Sequence, residues 1–129
     1  MENNIKVLVV DDEENVLKSV QKVIHSKYKD FEIDLSNSPF DGLAKLKKNT
    51  YNLVITDLMM PGMDGLELIK KIYTIDSQIK IIMITGYATM KTALLAMREG
   101  ADKYISKPFT KIELLSAVDE VLINTDENT

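Results

Sequence analysis

The chain has 129 residues, 45% apolar and 28% charged, with a net charge of −4 and no cysteine. That suits one domain around one core, excludes disulfide and thiolate chemistry, and offers no basic footprint for direct nucleic-acid binding. No apolar run approaches the roughly 18 residues that span a membrane and no signal segment opens the chain, so a cytoplasmic location is expected.

Lys6–Val10 reads as a first strand, an unbroken apolar run of the kind covered on both faces of a sheet. Asp11, Asp12, Glu13 and Glu14 follow at once. Adjacent carboxylates repel and lose solvation near a core, so a positive partner is expected there. Val16, Leu17, Val20, Val23 and Ile24 then form a stripe at helical spacing. Phe31–Leu35 alternates apolar and acidic residues, the pattern of a half-exposed edge strand. Ser38 and Pro39 read as an N-cap and first-turn proline.

Leu53–Thr56 is a third strand, ending at Asp57. Asp64 and Glu67 fit a capping box before a stripe of Leu66, Ile69, Ile72 and Tyr73. Lys80–Ile84 is a fourth strand, ending at Thr85. In the fourth helix Met90, Ala93, Leu94 and Met97 are expected on the core side, with Leu95 pointing away and Gly100 closing the helix. Lys103–Ser106 is a fifth strand, ending at Lys107. Thr110 and Glu113 form a second capping box for a helix from Lys111 to about Asn124. Its buried face is expected to hold Leu114, Leu115, Val118, Val121 and Leu122, leaving Ile112 and Ile123 outside. His25, the only histidine, reads as a surface residue, and the methionines as core filler. We expect one domain over residues 1–129, with a core at 4–124 and a polar tail at 125–129.

Five strands, each followed by a helix, require crossover connections and so a parallel sheet. Right-handed crossovers give an α/β, doubly wound five-stranded sheet of order 2-1-3-4-5, the flavodoxin-like (βα)5 arrangement. Ligands in such sheets bind beyond the C-terminal strand ends. Asp11, Asp12, Asp57, Thr85 and Lys107 all stand there. Three carboxylates against one lysine leave an excess that one divalent cation cancels. An all-oxygen donor set suits Mg²⁺. Mg²⁺ in turn suggests phosphate, with Lys107 and the Thr85 hydroxyl neutralising charge. No Walker-type or GxGxxG cradle is present, so Asp57 itself is the best-placed phosphoryl acceptor. Each element alone has a plainer reading, as an N-cap, a turn or a loop dipeptide; their convergence on one rim favours the site.

VLVVDDEE, VITDLMMPGMDGLEL, IIMITGYA and YISKPF, in that order, resemble the receiver domains of two-component response regulators over nearly the whole chain. ITGYATMKTALLAMREGADKYISKPF looks most like receivers of nitrogen-regulation-type enhancer-binding activators. The resemblance implies Asp57 as phosphoacceptor, with Asp11, Asp12, Asp57 and the Met59 backbone carbonyl holding Mg²⁺. It implies Thr85 and Lys107 as phosphoryl contacts, Tyr104 as switch aromatic, a cis Lys107–Pro108 bond, and a loop shaped by Pro61 and Gly65. A sensor histidine kinase is the implied donor and an output domain or effector protein the implied target. The implied surface, which includes a possible phosphorylation-dependent homodimer contact, is helix 4, strand 5 and helix 5. The chain reads as a stand-alone regulator or a receiver from a longer protein, acting on itself rather than as a turnover enzyme. Two alternatives remain: an interaction module that takes no phosphate, and an aspartyl-phosphate phosphatase of the haloacid dehalogenase kind. The second lacks its acid/base residue, because Met59 stands two positions after Asp57.

Overall fold

The Val- and Ile-rich runs are strands because burial on both faces satisfies every side chain along them. The structure, a computed structural model, describes residues 4–127, and the side chains up to Leu122. Five strands, β1 (Lys6–Val10), β2 (Glu32–Ser36), β3 (Leu53–Thr56), β4 (Lys80–Thr85) and β5 (Lys103–Ser106), alternate with five helices. The helices are α1 (Glu14–Lys27), α2 (Pro39–Lys48), α3 (Gly65–Ile75), α4 (Met90–Glu99) and α5 (Lys111–Glu127). All strand pairs are parallel, in the order β2-β1-β3-β4-β5, as the crossover argument requires.

Strand alternation divides the core in two. Leu8, Val10, Val54, Ile81 and Met83 meet Leu46 of α2, Leu68, Ile69 and Ile72 of α3, and Ala96 of α4. Val7, Val9, Leu53, Ile55, Ile82 and Ile84 meet Leu17, Val20 and Ile24 of α1 and Leu114, Val118 and Val121 of α5. Each of these Val, Leu, Ile and Met side chains contributes roughly 1.5–3 kcal/mol by leaving water. Helices α2, α3 and α5 are each capped, though at α3 the bond made is only the Asp64 half of the expected box. Ser38 accepts from the Asp41 amide, Asp64 from the Glu67 amide, and Thr110 and Glu113 bond each other's amides.

Several expectations need correcting. β2 starts and ends one residue later than the alternating pattern placed it, since Lys6 pairs with Glu32 and Val10 with Ser36. α5 continues past Asn124 to Glu127; Ile123 and the last two tail residues lie outside the described side chains and residues. His25 is half-buried, and its Nε2 lies 2.9 Å from the Phe31 carbonyl, tying α1 to the turn before β2. Met60, Met63 and Met83 fill the core, but Met59, Met90 and Met97 are exposed.

The largest correction concerns α4, where Met90, Leu94 and Met97 face outward at 78%, 61% and 48% exposure. Ala96 is its buried residue and Leu95 is half-buried. Contacts at both ends decide this rotation. Thr89 and Thr92 close a reciprocal capping box at the N-terminus. At the other end the Tyr73 hydroxyl donates to the Gly100 carbonyl at 2.6 Å, with its ring so close that any Cβ on Gly100 would collide with it. A small residue then faces the core, and the apolar stripe is left on the outside.

Candidate functional site

The backbone ladder carries the key residues one step past the strand ends. The Asp11 amide donates to the Ser36 carbonyl, the Asp57 amide to Val10, and the Lys107 amide to Thr85. Since Val10 pairs with Thr56, Asp11 and Asp57 emerge side by side. Both are nearly buried, at 2% and 6%, while Asp12 is exposed. Ligand atoms of Asp11, Asp12 and Asp57 lie within 4.8 Å of one another, so this cluster can hold a metal ion.

Lys107 reaches into the same place. Its Nζ donates to Asp57 Oδ2 at 3.0 Å, to Asp11 Oδ2 at 3.0 Å and to Glu13 Oε1 at 3.1 Å. Burial alone pushes the lysine pKa down, but the bonds and charges of Asp57 and Asp11 outweigh it and hold the pKa well above the ordinary value. The Asp11 carboxyl is pushed up, chiefly by burial and also by the Asp57 charge; the Glu13 amide and Lys107 only partly oppose this. The Lys107–Pro108 bond is cis, in line with the resemblance.

A cleft of about 480 Å³ opens over these groups, lined by Asp12, Glu13, Asp57, Met59, Gly86, Tyr87 and Lys107. Thr85, which precedes Gly86 of the cleft wall, is fully buried, and its hydroxyl accepts from the Tyr87 amide at 3.1 Å. The Met59 amide points at Asp57 Oδ1 at 3.3 Å. The loop from Asp57 into α3 is closed by the Gly65 amide, which donates to the Leu58 carbonyl at 2.6 Å. Tyr104 on β5 is half-buried, with its hydroxyl 2.6 Å from the Thr92 hydroxyl of α4. The switch aromatic implied by the resemblance is thus joined to the α4 cap.

Of the residues expected at the rim, Asp12, Asp57 and Lys107 line the cleft, Asp11 joins them through Lys107, and Thr85 is buried next to Gly86 without lining it. Sequence reasoning missed three contributors. Glu13 belongs to the acid run, yet nothing in the sequence says that it turns toward Lys107. Tyr87 follows Thr85-Gly86, where a loop reading hides its place on the cleft wall. Thr92 escapes the usual capping pattern because the position three after Thr89 holds threonine, not Glu or Gln.

An oxygen-only acidic cluster that can hold a metal ion thus stands beside a lysine at the C-terminal rim of a doubly wound α/β sheet. Residues 7–119 match the response regulator receiver domain, and the chain belongs to that family of phosphorylation-activated signalling domains. Response regulator ArlR of Staphylococcus saprophyticus is 34% identical over 91% of this chain and 52% of its own length. Chemotaxis protein CheY-3 of Vibrio cholerae is 32% identical over 94% of each. The chain therefore spans about half of one relative and nearly all of the other.

Among solved structures, a CheY-like receiver protein from Methanospirillum hungatei superposes with a TM-score of 0.89 at 30% identity, over 98% of this chain and all of that one. The beryllofluoride-activated NtrC4 receiver domain dimer gives 0.86 at 27%, over 92% and 97%. The CheX–CheY–BeF3–Mg complex from Borrelia burgdorferi gives 0.85 at 27%, over 91% and 88%.

Proposed function

We propose that this chain is a single receiver domain whose Asp57 takes a phosphoryl group from a phosphohistidine of a sensor histidine kinase in the cytoplasm. One observation carries the reading: Asp57 stands on the central strand end with Lys107 at 3.0 Å and two further acids beside it. An Asp57 carboxylate oxygen attacks phosphorus, the P–O bond forms as the P–N bond breaks, and the imidazole keeps the electron pair and takes a proton. Lys107 holds the acceptor and draws the phosphoryl oxygens; Thr85 supplies a hydroxyl. The acids Asp11, Asp12 and Asp57, with the Met59 carbonyl, fit Mg²⁺, since they offer only oxygen ligands. Bound there, the ion shields the phosphoryl charge from the carboxylates. The chain acts on its own carboxylate and turns over no separate substrate. Incubation with Mg²⁺ and acetyl phosphate, read by intact mass, tests the reading: one phosphoryl group per chain is expected, and none would overturn it.

Metal affinity has a predictable dependence on residue and pH. Asp12→Ala should weaken Mg²⁺ binding at least tenfold by removing a ligand. Lys107→Ala should not weaken it at neutral pH, because the lysine repels a cation. A raised carboxyl pKa means that Asp11 holds its proton to higher pH than an ordinary aspartate. Affinity should therefore fall on acidification, beginning above the usual carboxylate range. Metal titrations across pH check both statements; a Lys107→Ala loss as large as that of Asp12→Ala would contradict them.

The output surface is α4, β5 and α5, engaging an output domain, an effector or a second copy once Tyr104 and Thr85 respond to the phosphoryl group. Met90, Leu94 and Met97 on α4 and Ile112 on α5 are the exposed apolar side chains that support it. Leu94→Asp and Ile112→Asp should each abolish any phosphorylation-dependent dimer seen by sedimentation. Unimpaired dimers in both variants would move the contact elsewhere.

A further inference from the structure

Glu13 occupies the N-cap position of α1 with an extended backbone, φ −99° and ψ 113°, yet its side chain makes no capping bond. N-caps favour short polar side chains that turn back onto first-turn amides. Glu13 instead sends its carboxylate 3.1 Å from the Lys107 ammonium at the cleft edge. Its side chain is 63% exposed, against 3% for Asp11 and 7% for Asp57.

An ammonium carries three N–H donors. Those of Lys107 go to Asp57, Asp11 and Glu13, so its donor set is full. A phosphoryl group on Asp57 brings new oxygens that attract the same ammonium, and Lys107 can bond them only by giving up a carboxylate. Stripping a partner from buried Asp11 is costly, because water cannot replace it. Exposed Glu13 is rehydrated at little cost, so its bond is the one that yields. Until it does, it opposes the phosphoryl contact.

Resting on the reading of Asp57 as acceptor, we propose that Glu13 is a positioning residue that competes with the phosphoryl group for Lys107. It thereby sets how firmly the lysine holds the phosphorylated site. Two plainer roles make different predictions. A charge that merely draws the cation would lose Mg²⁺ affinity when neutralised. A charge that merely favours the α1 N-terminus would lower thermal stability and leave anion binding alone.

The probe is beryllofluoride, a phosphoryl mimic, titrated at saturating Mg²⁺ into the wild type, Glu13→Gln, Lys107→Gln and the double variant. The worth of an exposed ion pair sets the scale. Glu13→Gln should tighten beryllofluoride binding about two- to fivefold when Lys107 is present, and not at all beside Lys107→Gln. Helix capping cannot produce that dependence on Lys107. Unchanged or weaker binding in Glu13→Gln, or equal tightening in both backgrounds, would overturn the proposal while leaving Asp57 as acceptor. A wild type that binds no beryllofluoride would overturn both.

Discussion

Asp57→Asn should take up no phosphoryl group from acetyl phosphate under conditions that label the wild type fully. The amide keeps the size and one oxygen of the side chain but has no anionic nucleophile, and the acyl phosphate cannot form. Among the described residues no other acid offers the same arrangement: Asp12 is exposed, and the pKa of Asp11 is raised chiefly by burial. The variant should fold normally. Lys107 keeps Asp11 and Glu13 as partners, and the Asn oxygen can accept the third bond. Removing one of two adjacent buried carboxylates also relieves the repulsion that adds to the burial-driven rise of the Asp11 pKa. The weaker, no longer charge-paired bond to Lys107 and the relieved repulsion oppose each other, so unfolding in urea should shift by less than about 1 kcal/mol. Intact mass measured alongside the unfolding curve separates lost chemistry from lost structure. Equal labelling of the variant would put the acceptor on another residue.

Gly65→Ala should cost both stability and activity, although propensity alone argues the opposite. Gly65 opens α3, where alanine is intrinsically better by up to about 1 kcal/mol and leaves the unfolded chain less entropy. Space decides against it. A Cβ at this position would lie 2.6 Å from the Asp57 carbonyl oxygen, 2.8 Å from the Leu58 Cα and 2.9 Å from the Met83 Cε. The first two are backbone and cannot rotate away. Either α3 withdraws, losing the 2.6 Å bond from the Gly65 amide to Leu58, or Asp57 moves. Overpacking of this kind costs about 1–3 kcal/mol. A displacement of the acceptor by even a fraction of an ångström spoils its alignment for attack, so labelling should slow by roughly ten- to a hundredfold. A variant as stable and as rapidly labelled as the wild type would show that the loop absorbs the extra carbon.

The sequence alone determined the sheet, its order and the rim. Unbroken apolar runs such as Val7–Val10 and Ile81–Ile84 bury both faces, which only a parallel sheet between helix layers allows. Once the strands are in register, Asp11, Asp57, Thr85 and Lys107 have nowhere to emerge except one edge. Those features follow from periodicity and chain connectivity, and both are written along the sequence.

Tertiary structure decided what depends on rotation and side-chain reach. Met90, Leu94 and Met97 form as good a stripe as any buried one, and periodicity finds stripes without saying which side meets the sheet. Tyr73 against Gly100 and the Thr89–Thr92 cap fix that rotation, turning the stripe outward. Glu13 reaches Lys107 across 94 residues of sequence, and Tyr104 meets Thr92 between neighbouring elements. Such contacts are set by distances of a few ångströms between elements already packed, and no local pattern encodes them.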